Sequence, residues 1–322
     1  MTTDLFLGLD VGGTTTSAGL VTADGRVVES RSQPTHGPGG PHEPGALARL
    51  LALAADVAAA ARPRGARIAA VGAGVPGVVD ASSGTVGGEA HNVPELTGVP
   101  LGRLLAESVG APAFADNDVN ALALGEWLWG AGRGARSLVL LAIGTGLGGG
   151  IVLDGQLYRG AAGFGGELGH VPIELQGRPC ICGARGCLKA YVAGPDLAAE
   201  ATKRLGRSVS AAELFALAAA GEGPAGAILD EAAEALAAGL TIVINGLNPE
   251  RLLLAGTVGS AFAARAADLR ARVARRAYAG ALATTEITFL DLGKDTTVRG
   301  GAALAYCGRL GDAKSVRPGT SA

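Results

Sequence analysis

The feature that most constrains this chain is a glycine-threonine turn that occurs twice, each time after an apolar run. The first is 10-DVGGT-14, at the end of 5-LFLGLDVGG-13. The second is 144-GTGLGGG-150, at the end of 137-SLVLLAIGTG-146. Each turn runs on into a second strand, and each half then alternates helix and strand. Repetition at this scale predicts two related lobes with a ligand cleft between them. A chain of 322 residues is long enough for two cores.

The expected elements are strands at 5–13, 17–24 and 26–33, helix 46–62, strand 68–80, helix 101–110, strand 113–116 and helix 118–130. The second half has strands at 137–146, 149–155 and 156–160, a helical region at 196–246, strand 251–256, helix 261–279, strand 286–292 and a last helix near 297–310. Asp24-Gly25 and Asp154-Gly155 are hairpin signals. The fold class is α/β, with duplicated βββαβα halves. The lobes are drawn at 1–117 and 118–296, with a C-terminal helix at about 297–312 packing back on the first lobe and a disordered tail at 314–322. Aromatics are only 4% of the chain, so Ala, Val, Leu and Ile must supply most of the core.

Formal net charge is −2 and no long basic block exists, which argues against nucleic acid as a partner. The N-terminus lacks a basic n-region, and the longest apolar run is broken by glycines. The expectation is a cytoplasmic protein with no membrane span.

Two glycines at 12 and 13 let the first turn offer backbone N–H groups and Thr14 to phosphate oxygens. Asp10 beside such a site can hold Mg²⁺ through water; the alternative is a plain glycine hairpin. Gly144, Thr145 and Gly146 repeat the chemistry, and together the turns suggest a bound triphosphate. No Gly-Lys-Ser/Thr follows, so neither turn is a P-loop, and no helix follows directly, so neither is a dinucleotide fingerprint.

In 115-ADNDVNALALGE-126, Asn117 and Asp118 stand at a strand-to-helix junction. An Asp there can simply cap the helix. The pair can also grip a sugar, with Asp118 taking the proton of a nucleophilic hydroxyl. Further on, 166-GELGHVPIE-174 precedes 180-CICGARGC-187. One imidazole and three thiolates, from His170, Cys180, Cys182 and Cys187, make a closed structural zinc site. The competing reading is a disulfide beside an unrelated His, which a reducing compartment disfavours. Cys307 reads as core.

With these motifs in order, and with 248-NPERLLLAG-256 and 299-RGGAALA-305, the sequence resembles the ROK family of sugar kinases and repressors over about residues 5–310. The resemblance implies a two-lobed actin-like (ribonuclease H-like) ATPase fold with a zinc knuckle at 170–187. It implies transfer of a phosphoryl group from ATP, with Mg²⁺, to the primary 6-hydroxyl of a hexose such as glucose. Gly256 joins the nucleotide loops. Glu167 and His170 reach sugar hydroxyls, His170 also as a zinc ligand, and Asn92 in 91-HNVPEL-96 reaches the sugar as well. A homodimer or homotetramer is implied.

One position departs from the family pattern. Its glucose kinases carry Glu two residues after the last knuckle cysteine, whereas 187-CLKAY-191 has Lys189. An ammonium donates hydrogen bonds and cannot accept them. A C7-cyclitol or a modified or amino sugar is therefore the alternative substrate, unless Lys189 points to solvent. A non-catalytic sugar-sensing relative is disfavoured, because the first strand begins at residue 5 and no helix-turn-helix precedes it.

Overall fold

The computed structural model describes residues 3–38, 40, 45–88, 90 and 92–310. The chain divides into two compact units. One comprises residues 1–136, 150–165 and 292–322, and the other residues 137–149 and 166–291.

The first unit is built on β1 (Thr3–Val11), β2 (Thr15–Val21), β3 (Val27–Pro34), α1 (Ala46–Ala59), β4 (Ala66–Val75), the short strands β5 (Val79–Asp80) and β6 (Thr85–Val86), α2 (Leu101–Val109), β7 (Ala113–Asn117) and α3 (Asp118–Trp129). Its main sheet has the order β3-β2-β1-β4-β7. β1 runs antiparallel to β2 and parallel to β4, which runs parallel to β7. Leu5, Leu7 and Leu9 of β1 are buried with Leu50, Leu53 and Val57 of α1 and Val71 and Ala73 of β4. A central parallel strand covered on both faces needs such a continuous apolar run.

The second unit carries β8 (Ser137–Ile143), and β9 (Leu147–Leu153) crosses the unit boundary. After β10 (Gln156–Leu157) come α4 (Lys189–Val192), α5 (Gly194–Leu205), α6 (Ala211–Ala219), α7 (Gly223–Leu247), β11 (Arg251–Ala255), α8 (Gly256–Ala261), α9 (Ala266–Ala274), α10 (Ala279–Ala283) and β12 (Glu286–Phe289). The order of this sheet is β10-β9-β8-β11-β12. Strand for strand it repeats the first, which bears out the duplicated α/β plan. Asp154 and Gly155 both have positive φ and turn β9 into β10.

The final helix, α11 (Lys294–Leu310), belongs to the first unit. It lies against β1 and β4 at glycines. A Cβ on Gly8 would fall 2.0 Å from Val298 O, and one on Gly72 would fall 2.0 Å from Gly301 O. Only a residue without Cβ permits so close an approach of helix to sheet. α3 packs beside it, with Gly125 against Gly300. The expected lobe boundary lies after residue 117, whereas α3 falls in the same compact unit as the first sheet.

Three elements differ from expectation. The strand expected over 68–80 ends at Val75, because Pro76 lacks an N–H for the sheet, and two residues resume as β5. The helix expected over 261–279 is α8, a 3₁₀ turn at Phe262–Arg265, and α9. The strand expected over 156–160 pairs only at Gln156 and Leu157. The tail at 314–322 and the last residues of the expected helix to 312 lie outside the described residues. No helix among the described residues is long and apolar enough to cross a membrane.

Candidate active site

In the first unit the candidate residues gather at the carboxyl ends of three adjacent parallel strands. Asp10 of β1 is level with Gly74 of β4, which is level with Asp116 of β7. With strands about 4.8 Å apart, Asp10 and Asp116 stand roughly 10 Å apart at the Cα level. Carboxyl ends of strands in open α/β sheets are the usual ligand side.

The Gly12–Thr14 turn is closed by the Gly12 N–H donating to Thr15 O at 2.9 Å. Thr35, 2% exposed, holds it from below. Its hydroxyl donates to Gly12 O at 2.7 Å and its N–H to Thr14 O at 2.9 Å. The Thr14 side chain is left exposed at the tip. Asn92 lies beside the turn, since a Cβ on Gly13 would sit 3.0 Å from Asn92 Cβ. Burial pushes the Asp10 carboxyl above its ordinary value, partly offset by a hydrogen bond from the Thr297 side chain. A carboxylate desolvated in this way gains most from a nearby cation.

At the β7–α3 junction it is Asn117, not Asp118, that caps the helix. Asn117 Oδ1 accepts from the N–H groups of Val119 (2.9 Å) and Asn120 (3.2 Å), the N-cap pattern. Its Nδ2 donates to Gly77 O at 3.0 Å. Most of the bonding capacity of Asn117 is thus spent on the chain itself. Asp118 occupies the first turn, where its Oδ1 accepts the Val119 N–H at 2.9 Å. Its Cα approaches the end of β4, 3.2 Å from where a Gly74 Cβ would be.

Three residues behind this junction, Asp116, Asn120 and Arg159, are not among the candidates expected from the sequence. Asp116 is 2% exposed. Its Oδ1 accepts from the Asn117 N–H (2.8 Å) and from Asn120 Nδ2 (2.9 Å), and its Oδ2 from Arg159 Nε at 2.6 Å. The signal for Asp116 is its place as the third polar residue in Asp-Asn-Asp; nothing near Arg159 in the sequence points to its partner.

In the second unit, β8 and β11 are parallel neighbours, with Ala142 level with Ala255. Their ends bring the Gly144–Gly146 turn beside Gly256. Gly144 donates to Gly146 O at 2.9 Å and accepts from the Gly194 N–H at 2.8 Å. Gly256 has φ 82°, and a Cβ there would lie 2.5 Å from Ile143 O. Thr257, also not among those candidates, faces this turn, 3.7 Å from a Gly144 Cβ. It extends a third glycine-threonine pair visible in the sequence. Thr145 and Gly146 are exposed.

The knuckle is also in the second unit. The Nδ1 or Nε2 of His170 and the Sγ atoms of Cys180, Cys182 and Cys187 all lie within 4.8 Å of one another. His170 Nδ1 is 3.5 Å from Cys180 Sγ, and the Sγ atoms of Cys182 and Cys187 are 3.7 Å apart. No cysteine is in a disulfide. With Zn–S near 2.3 Å, a tetrahedral site has edges of about 3.8 Å, so this donor set fits zinc. The Ala184 backbone N–H draws the Cys182 thiol down, while burial pushes Cys187 up; a cation is what would hold the buried sulfur as a thiolate.

Glu167 is exposed at the start of the turn Leu168–His170. Lys189 opens α4, 16% exposed in its side chain, with Nζ 3.0 Å from Asp196 Oδ2 on α5. It does not point freely to solvent.

A family model described as ROK family matches residues 6–307. The chain belongs to the ROK family. It is 33% identical over 312 residues to a glucokinase from Thermotoga maritima, covering 92% of this chain and 96% of that protein. A ROK hexokinase from Thermus thermophilus superposes with TM-score 0.79 at 34% identity, over 94% of this chain and 98% of the other. A ROK glucokinase from Streptomyces griseus, solved with glucose and AMPPNP, gives TM-score 0.72 at 28% identity, over 94% and 99%. The match thus spans nearly the whole length of these three relatives.

Proposed function

We infer that this chain is an ATP-dependent sugar kinase acting on the primary 6-hydroxyl of a hexose. The observation that carries the reading is the row of strand ends in the first unit. There a glycine-threonine turn and a desolvated carboxylate at Asp10 end β1, and the Asn117–Asp118 junction ends β7, the parallel strand on the other side of β4, in a chain similar to glucokinases. Asp118 accepts the proton of the attacking hydroxyl as that oxygen bonds to the γ-phosphorus and the bond to the ADP oxygen breaks. Gly12, Gly13 and Thr14, with Gly144, Thr145, Gly146 and Gly256, donate to the phosphates. Mg²⁺ bound near Asp10 would neutralise phosphate charge. Asn92, Asn117, Glu167 and His170 orient the sugar. His170, Cys180, Cys182 and Cys187 hold a structural zinc, whose four protein ligands leave no open position for water.

The test is ADP release over a panel of hexoses, amino sugars and cyclitols, with phosphorus NMR of the product. ATP-dependent formation of a hexose 6-phosphate is expected. No ADP above background with any acceptor would overturn the reading.

The Lys189–Asp196 pair supports a second reading of the substrate. By the resemblance Lys189 is a donor where glucose kinases of the family have an acceptor, which would suit a cyclitol or sugar carrying a carbonyl at the anomeric side, and the bond to Asp196 supports a side chain turned inward. Lys189→Glu alone would set a carboxylate against Asp196. Lys189→Glu combined with Asp196→Asn avoids that repulsion. One charge-assisted hydrogen bond is worth about 10–100-fold in specificity. The double variant should raise kcat/KM for glucose by that order relative to the best acceptor. An unchanged ratio removes Lys189 from the pocket.

A further inference from the structure

We propose that Asp116 and Arg159 form a positioning pair that sets the place of Asp118. The proposal rests on the kinase reading, because Asp118 matters to it only as the base.

Both oxygens of Asp116 are committed. One fixes the Asn117 peptide N–H, immediately before Asp118, together with the side chain of Asn120 one helical turn on; the other is taken by Arg159. The capping residue Asn117 and, through Asn120, the first turn of α3 are therefore both tied to one carboxylate that is 2% exposed, in addition to the Asn117 cap itself. Arg159 comes from 43 residues away and is the charge partner of that carboxylate. Beside the pair is a small cavity of about 90 Å³, lined among others by Phe114, Leu124, Leu304 and Cys307. Apolar surroundings strengthen a charge-assisted bond and make a broken one costly. A buried ion pair adds little net stability over an apolar pair of similar volume. Its advantage is direction. The guanidinium fixes the orientation of the carboxylate, and the carboxylate fixes a peptide N–H.

Arg159 is itself anchored. Its carbonyl accepts the Gly165 N–H at 2.7 Å, closing residues 159–165 into a loop whose chain continues directly into Gly166 and Glu167. The same ion pair thus restrains the peptide leading to the base and the root of the segment leading to a sugar-contact candidate. Neither residue touches substrate in this account; both act through others.

The experiment compares wild type with Arg159→Met, which keeps the length of the side chain, and Arg159→Lys, which keeps the charge. Arg159 is 37% exposed in its side chain, so neither variant opens a core cavity; Met does leave the buried Asp116 carboxylate without its charge partner, and thermal melting checks that both variants fold. A misplacement of about 1 Å can cost 10²-fold. Arg159→Met should lower kcat by roughly 10–100-fold while KM for ATP stays within about twofold. Arg159→Lys should recover part of the loss. Hydrogen exchange in a peptide spanning 114–122 should quicken in Arg159→Met and not elsewhere in the first sheet. A folded Arg159→Met with unchanged kcat overturns the proposal. So does a fall in kcat that Lys does not relieve and that comes with faster exchange throughout the first unit, because that marks a purely structural role. If wild type phosphorylates no acceptor, the kinase reading fails first, and the positioning role falls with it even where exchange at 114–122 responds.

Discussion

The two sheets share one topology but carry different chemistry. In the first, acidic groups crowd the strand ends: Asp10 after the apolar run of β1, and Asp116 and Asp118 around the end of β7. In the second, β8 ends at Ile143 and runs into Gly144 and Thr145, while β12 ends at Phe289 with a single acidic residue, Asp291, two positions beyond. On the proposed reading, the first sheet is the one that moves a proton and holds a cation. The second offers glycine and threonine at the ends of β8 and β11, and its unit also carries the cysteine cluster between β10 and β11. The two frames repeat one strand order, and on the proposed reading the side chains at a few strand ends divide the labour.

The sharpest way to break this comparison is to remove the proposed base from the first sheet. Asp118→Asn keeps shape and removes the proton acceptor, which typically costs about 10²–10⁴-fold in rate. Nucleotide affinity by calorimetry should be nearly unchanged. A folded variant with near-normal kcat would show that the acidic sheet is not the proton-moving one.

Next in size is the knuckle. Metal analysis of protein purified without chelator should find one zinc per chain, and Cys182→Ser should remove it. Because Glu167 and His170 lie in or beside the knuckle, sugar KM should rise by about 10-fold or more, the cost of roughly one hydrogen bond to a charged group, while ATP KM holds. Full activity in zinc-free protein would detach the knuckle from the sugar.

A smaller effect tests the second sheet alone. Gly256→Ala introduces a Cβ 2.5 Å from Ile143 O at a residue with φ 82°. Such strain costs on the order of 1–3 kcal/mol. Here the ATP KM should rise, with sugar KM spared, the reverse of the knuckle result. Gly146→Ala, which meets no heavy atom within 4 Å, is the control for space. Equal effects from the two substitutions would show that Gly256 is not kept for its backbone conformation.

The smallest effect concerns Asp10. Burial raises its folded-state pKa above the ordinary carboxyl value. The native state therefore binds the proton more tightly than the unfolded chain, and stability falls as pH rises from the ordinary carboxyl value through the raised one. Asp10→Asn should melt slightly higher than wild type at neutral pH, and the difference should vanish in acid below both values. Adding Mg²⁺ and nucleotide should reverse the order. A lower melting temperature for Asp10→Asn at neutral pH would mean that the Thr297 contact outweighs desolvation.

Much of this was readable from the order of residues. Apolar runs ending in glycine and threonine announce strands entering tight turns, because both signals are local. Their recurrence announced two frames of the same topology. The spacing of His170, Cys180, Cys182 and Cys187 announced a cluster, because most of the chain between the donors is short enough to limit where they can go. Local signals failed where two residues compete for one local role. Asn117 and Asp118 are both good caps, and the backbone at the end of β7 gave the role to Asn117, leaving Asp118 inside the first turn.

The tertiary structure alone decided the rest. Thr35 under the first turn, Arg159 against Asp116 and Asp196 against Lys189 are pairings between elements, and no propensity or period encodes them. The same holds for α11. Its glycines at 300 and 301 are visible in the sequence, but that they let it lie against β1, β4 and α3 depends on the backbones they meet. A sequence records what each residue can do within a turn or two of itself. Which distant partner completes a buried charge or closes a turn is set only when the sheet brings their strands together.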